Sequence, residues 1–169
     1  MRRIEIYLYR SESYWQRLAD WCISTYTGLF PCNWGTKPYS HAAIGLESSV
    51  GLIEAFESTS RKLPDGTNGT RWSTRYELLR NPERWDVYWE YTTKLVVEEM
   101  RQRANAETCK PYDWLGIAGF TCPLPVNSKS KWYCSEVVWY VLTGKIKRVS
   151  PRRLSKLIKK MGFQLETDR

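Results

Sequence analysis

Two short strand-like runs, Ser40–Leu46 and Leu52–Phe56, stand on either side of Glu47-Ser48-Ser49-Val50-Gly51. Such runs joined by a short polar loop with a glycine form a β-hairpin, which commits its surroundings to an antiparallel sheet. Side chains alternate along a strand, so His41, Ala43 and Gly45 share one face and Ala42, Ile44 and Leu46 the other. Pairing Leu46 with Gly51 sets Ala42 against Ala55 and Ile44 against Ile53, a wholly apolar face. The opposite face then carries His41 and Glu54 as diagonal neighbours, and a shift of two residues makes them directly opposite. A carboxylate there can accept a hydrogen bond from the imidazole.

The rest of the chain supplies more strands and then helices. Ile4–Tyr9 alternates apolar and polar residues as a half-buried strand does, and Trp85–Tyr91 does so again. Tyr14–Tyr26 has helical spacing with Gly28 as a stop, and Phe30–Pro38 is a loop. Residues 58–71 contain Pro64-Asp65-Gly66 and Asn68-Gly69, turn signals that predict a long polar loop inside a 58–84 insertion. Thr93–Glu107 is a predicted amphipathic helix, and Asp113 is placed to cap a short helix through Phe120. Pro123 and Pro125 interrupt the chain before a buried helix over Trp132–Leu142, which Gly144 ends. Ser150 as N-cap and Pro151 at the first helical position start a last helix, 150–161. This order predicts an α+β fold with an antiparallel sheet and helices gathered on one side.

At 169 residues the chain is expected to form one domain, 1–169. It has one histidine and five cysteines. A zinc site would need Cys or carboxylates for nearly every ligand, so no metal is expected, and any imidazole chemistry must use His41. The cysteines form no CxxC pair and no regular disulfide framework. No secretory signal is readable, and no run reaches the roughly 18 to 20 apolar residues of a spanning helix. The expected location is the cytoplasm, or delivery as a phage or effector protein.

The net charge of +8 is not spread over the chain. Residues 1–144 hold 17 basic and 16 acidic groups, whereas 145–160 hold eight basic groups and no acidic one. Leu154, Leu157, Ile158 and Met161 form an apolar stripe on that last helix, with Arg152, Arg153, Lys156, Lys159 and Lys160 around it. The stripe docks on the domain and leaves either a solvated basic face or a surface for an anionic partner, lipid headgroup or cell-wall polymer. No nucleic-acid-binding motif is present, so nucleic acid is not an expected partner.

Cys134 falls at the start of the 132–142 helix, after Lys129 and Lys131. The unpaired N–H groups and dipole of a helix start favour a thiolate, and one such N–H can donate to an oxyanion. An inert core cysteine and a merely satisfied strand histidine are the plain alternatives for Cys134 and His41.

Taken in order, Ser40-His41-Ala42-Ala43-Ile44-Gly45, Ile53-Glu54-Ala55, Pro111-Tyr112-Asp113 and Trp132-Tyr133-Cys134-Ser135-Glu136-Val137-Val138 resemble the motifs of circularly permuted NlpC/P60-type cysteine hydrolases, the YiiX/YebB-like branch above all. The likeness spans roughly residues 38–155, and Ser150-Pro151 to Leu154 resembles the Pro-x-x-Leu helix that often closes such domains. It implies a permuted papain-like fold in which the histidine strand precedes the cysteine helix. It further implies Cys134 as nucleophile, His41 as base, Glu54 as the residue that orients the ring, and Tyr112 as a substrate-side residue of the cleft. The activity implied is amidase, peptidase or thioesterase chemistry without a cofactor, on peptidoglycan-type peptides first and lipid acyl groups next. The alternative is a non-catalytic binding or assembly protein on the same scaffold.

Overall fold

A computed structural model describes residues 1–10, 37–60, 68–113 and 130–166. Six strands form one antiparallel sheet: β1 (Arg2–Arg10), β2 (Tyr39–Glu47), β3 (Ile53–Thr59), β4 (Gly69–Thr74), β5 (Trp85–Thr92) and β6 (Gln164–Leu165). Their spatial order is β4-β3-β2-β1-β5-β6, so the first strand of the chain is central. A short helix α1 (Arg75–Leu78) and a 3-10 turn (Pro82–Arg84) precede β5; α2 (Lys94–Ala106), α3 (Cys134–Thr143) and α4 (Pro151–Lys160) follow it. The chain is therefore α+β. The predicted helices at 14–26 and 113–120 and the loops at 30–38 and 123–125 lie largely or wholly outside the described residues.

Local chemistry sets the helix ends. The Thr93 hydroxyl accepts from the Val96 N–H to start α2, and the Ser150 hydroxyl accepts from the Arg153 N–H to start α4, with Pro151 just inside. Gly144 ends α3 in the left-handed conformation, φ 72°, where a side chain would be strained.

The helices α2, α3 and α4 lie on one face of the sheet. Ile6, Leu8, Ile44 and Phe56 from the sheet meet Val97 and Met100 of α2, Val137 and Val141 of α3, and Leu154 and Ile158 of α4. Each fully buried aliphatic side chain of this kind contributes about 1.5–3 kcal/mol, so this layer dominates the stability. A second cluster, Tyr7, Tyr9, Ala43, Ala55, Trp85 and Val87, lies on the other face beside Leu78 and Leu79.

Two expectations need correction. The predicted 58–71 loop is strand at both ends: 58–59 finish β3 and 69–71 open β4, in which Trp72 packs on Phe56 at 5.1 Å between ring centroids while Arg71 points to the other face. Polar composition and adjacent turn residues disguise this edge strand. The β2–β3 register also differs, pairing Ala43 with Glu57, Ile44 with Phe56 and Leu46 with Glu54. This is a shift of three residues from the Leu46–Gly51 pairing. The cause is the turn: Ser48 N–H donates to Leu52 O (2.7 Å), Gly51 N–H donates to Ser48 O (3.2 Å), and Gly51 sits at φ 81°. The tight reversal thus centres on Val50 rather than before Ser49.

The second face also buries charge. Glu5, wholly inaccessible, accepts from Tyr7 Oη and Arg75 Nε (2.9 Å) and pairs with Arg3 (2.8 Å). Glu166 joins Arg3 (2.8 Å) and Arg75 (3.4 Å) from beyond β6. A buried carboxylate is tolerable only when so paired. Gly45 leaves the room that Tyr7 needs: a Cβ there would lie 2.6 Å from Tyr7 Oη and 2.9 Å from Ile53 Cγ2. Gly45→Ala is expected to lower stability by about 1–3 kcal/mol through this overpacking, read as a reduced urea midpoint; an unchanged midpoint would show that Tyr7 can move aside without cost.

Candidate active site

His41 stands near the start of β2, where its ring meets Trp85 edge-on at 6.0 Å. The neighbouring strand ends at Thr59, and Ser58 Oγ donates to Trp132 O (2.6 Å). This bond ties the residues before α3 to the same end of the sheet. Trp132 N–H donates to Pro111 O (3.1 Å) and Asp113 N–H to Trp132 O (3.0 Å), so the 111–113 segment runs parallel beside 132. The Trp132 indole is held by Glu107 and stacks on Tyr140. Cys134 consequently opens α3 in a small buried cluster with Tyr112 and Tyr133.

The Cys134 and His41 side chains are close enough that the thiol acts directly on the imidazole. The His41 Nε2 in turn lies 2.8 Å from Glu57 Oε2. The other Glu57 oxygen, Oε1, accepts from Arg71 Nε (2.9 Å) and Nη2 (2.8 Å), its direct partner across β3–β4. A line of four side chains runs Cys134, His41, Glu57, Arg71. Glu57 is clamped by a guanidinium on one oxygen and presents the other to the imidazole, which leaves the remaining ring nitrogen for the thiol.

Glu54 is not in this line. It faces the opposite side, where its half-exposed carboxylate accepts from Arg101 Nη1 of α2 (2.7 Å). The reason is the register: an odd shift moves every side chain of β3 to the other face. Glu57 becomes the diagonal neighbour of His41, and Glu54 takes the place opposite Leu46. Thus Cys134, His41 and Tyr112 sit at one end of the sheet, whereas Glu57 and Arg71 were missed. Their signal was present as the alternation Ala55, Glu57 opposite Arg71, Ser73, but it becomes readable only once 69–74 is known to be a strand.

The electrostatics follow from this geometry. Burial disfavours the charged His41 ring, but the interactions with Cys134, followed by those with Glu57, outweigh it and push His41 up to about 10. For Glu57, burial acts upward, yet His41 and then Arg71 bring it down to about 2. Burial is the leading cause that raises the Tyr133 hydroxyl well above its ordinary range, with the Cys134 charge next. One turn into α3, Glu136 is raised to about 7, first by burial and then by the charge of Asp113; Arg148 and the Tyr133 backbone N–H oppose the shift. That last bond also satisfies the N–H of Tyr133, the residue before α3, whose side chain makes no capping bond.

Exposure is uneven along the line. Cys134 is 0% exposed, whereas 20% of the His41 side chain reaches the surface. Among the described residues, no group of three or more His, Cys, Asp or Glu side chains is arranged to hold a metal ion, and no helix is long and apolar enough to cross a membrane. Neither a protein-family model nor a curated protein matches this chain.

A pH dependence of stability follows. His41 is raised on folding, so its contribution is complete below its ordinary value of 6.5 and is lost as the pH rises through about 10. Glu57 is lowered, so its contribution is present above 4.5 and is lost as the pH falls through about 2. Urea titrations of wild type against Glu57→Gln should therefore show the widest stability gap between about pH 4.5 and 6.5, narrowing toward either extreme. A gap of constant size across the range contradicts the pairing.

Proposed function

We propose that this protein is a cysteine hydrolase in which Cys134 is the nucleophile, His41 the base, and Glu57 the residue that orients the imidazole. The observation that carries this reading is the line in which Cys134 acts on His41 and Glu57 holds the His41 ring through a 2.8 Å hydrogen bond. A nucleophile bonded to a base that is itself held by a third group is the general signature of covalent acyl transfer. The ordered motifs that resemble the permuted NlpC/P60-type hydrolases support the same assignment, with Glu57 in the role that the resemblance gave to Glu54.

The chemistry is that of a thiol acyl transfer. His41, raised to about 10, holds the proton drawn from Cys134 at neutral pH, and the thiolate so formed bonds to the carbonyl carbon of an amide, peptide or acyl ester. The negative oxygen that forms is stabilised by backbone N–H groups at the start of α3, where Cys134 itself lies. The C–N or C–O bond then breaks, His41 passes the proton to the leaving amine or alcohol, and an acyl-enzyme remains. Water, deprotonated by His41, attacks that thioester and releases the acid with the free thiol. Glu57 accepts the hydrogen bond from the His41 Nε2–H and so fixes the ring, and Arg71 prevents the carboxylate from turning away. Tyr112 borders the sulfur and would meet the substrate. Peptidoglycan-type peptide or amide bonds are the first substrate class, lipid acyl groups the second.

The complete burial of Cys134 favours a second reading, a binding or assembly protein that retains the line as a structural element. Reaction with iodoacetamide near neutral pH separates the two. The hydrolase reading expects Cys134 to label, and His41→Ala to slow labelling and any hydrolysis by roughly 10²–10⁴-fold, the range for a general base. Cys134→Ala abolishes hydrolysis and the labelling of that position, while the exposed Cys109 still reacts and is told apart by peptide mapping; Glu57→Gln lowers both in part, and Glu54→Gln leaves them unchanged. Labelling that is indifferent to His41 overturns the hydrolase reading, and equal effects of Glu54→Gln and Glu57→Gln overturn the choice of Glu57.

A further inference from the structure

The charged C-terminal segment takes a definite form in the fold. Leu154 and Ile158 are wholly buried and Leu157 half-buried, so these three of the expected stripe face the core, whereas Met161, at the end of the helix, is left outside it. Arg153, Lys159 and Lys160 are exposed on it, and Lys145 and Lys147 are exposed on the loop that leads into it. Among the described residues no carboxylate pairs with these five cations; Lys147 lies over the Trp139 ring (5.8 Å) and Lys159 over the Tyr88 ring (5.6 Å). With no acidic residue between 145 and 160, no carboxylate within the segment balances them.

The same segment exposes apolar side chains where a purely ionic surface has no use for them. Ile146, between Lys145 and Lys147, is 59% exposed, and Met161, directly after Lys159 and Lys160, is 47% exposed. A ten-residue helix is about 15 Å long. The basic stretch is therefore bounded at each end by an exposed apolar side chain. A hydrated polyanion gains nothing from Ile146 or Met161, whereas a lipid surface takes both: its headgroups attract the lysines and its acyl boundary accepts the apolar tips.

We propose that the 145–148 loop and the outward side of α4 form a docking surface for an anionic lipid bilayer. Leu154, Leu157 and Ile158 are not available to insert, so attachment is peripheral and depends on charge. Attraction to such a surface acts within about a Debye length, near 10 Å at 0.1 M salt, and is weakened by added salt. This proposal does not depend on whether Cys134 is catalytic.

The test is sedimentation of the full chain with phosphatidylcholine vesicles prepared with and without phosphatidylglycerol. Wild type is expected to pellet with the anionic vesicles, to stay in solution with the neutral ones, and to be released by salt. Each of Lys147→Ala, Arg153→Ala and Lys160→Ala, at exposed positions that tolerate substitution, should lower the partition coefficient about fivefold. Ile146→Ser and Met161→Ser keep every charge and should also reduce it. Equal pelleting with neutral vesicles, or a triple alanine variant that binds as wild type does, overturns the surface. If both serine variants partition as wild type, or if heparin retains the protein while anionic vesicles do not, the partner is a polyanion and the bilayer assignment is wrong.

Discussion

The register between β2 and β3 is the constraint on which the candidate site depends. It is set by a four-residue reversal in which Gly51, at positive φ, lets Ser48 and Leu52 pair directly. From there the period of two along each strand leaves no freedom: Phe56 must enter the core with Ile44, and Glu57 must emerge on the side of Ala43 and His41. Burial enforces the arrangement, because any odd shift would drive Glu57 into the layer formed with α2, α3 and α4. The next strand completes it by setting Arg71 opposite Glu57, so that a nearly inaccessible carboxylate is paired on both oxygens.

Backbone connections at one end of the sheet then bring the thiol to the imidazole. Ser58 holds the Trp132 carbonyl, the 111–113 segment runs alongside, and α3 starts two residues later. The Val137, Val138 and Val141 side chains press α3 onto the sheet, so its first residue is located by core packing rather than by a local cap. The site thus sits where a rigid strand end meets a rigid helix start, an arrangement that holds reacting groups more closely than loops do. The cost is polar burial: Glu57, Asp113, Ser135 and Glu136 all lie within this region, each inaccessible and each needing a partner.

Much of the fold could be read from residue patterns. The alternation at Ile4–Tyr9 and Trp85–Tyr91, the Thr93 and Ser150 caps, Pro151 and Gly144 all mark elements that exist at or near those positions, because these signals are local and their physics is local. The edge strand β4 was not readable, since Thr70-Arg71-Trp72-Ser73 is polar and follows two turn signals; it becomes a strand through Phe56 and Glu57 on its neighbour. The pairing of His41 with Glu54 failed for a related reason. A hairpin loop of given length admits more than one turn, and the choice between them rests on how Ser48, Gly51 and Leu52 bond in three dimensions.

By itself, the sequence determined that any imidazole chemistry must use His41, that His41 lies on the small-residue side of a strand, that Cys134 falls at a helix start, and that the positive charge is confined to 145–160. These are matters of residue identity and local periodicity. It took the three-dimensional fold to put Cys134 beside the imidazole, to make Glu57 rather than Glu54 its holder, and to set Arg71 on Glu57. Those are contacts between distant segments, and they are fixed by strand register and helix docking, which no single stretch of chain encodes.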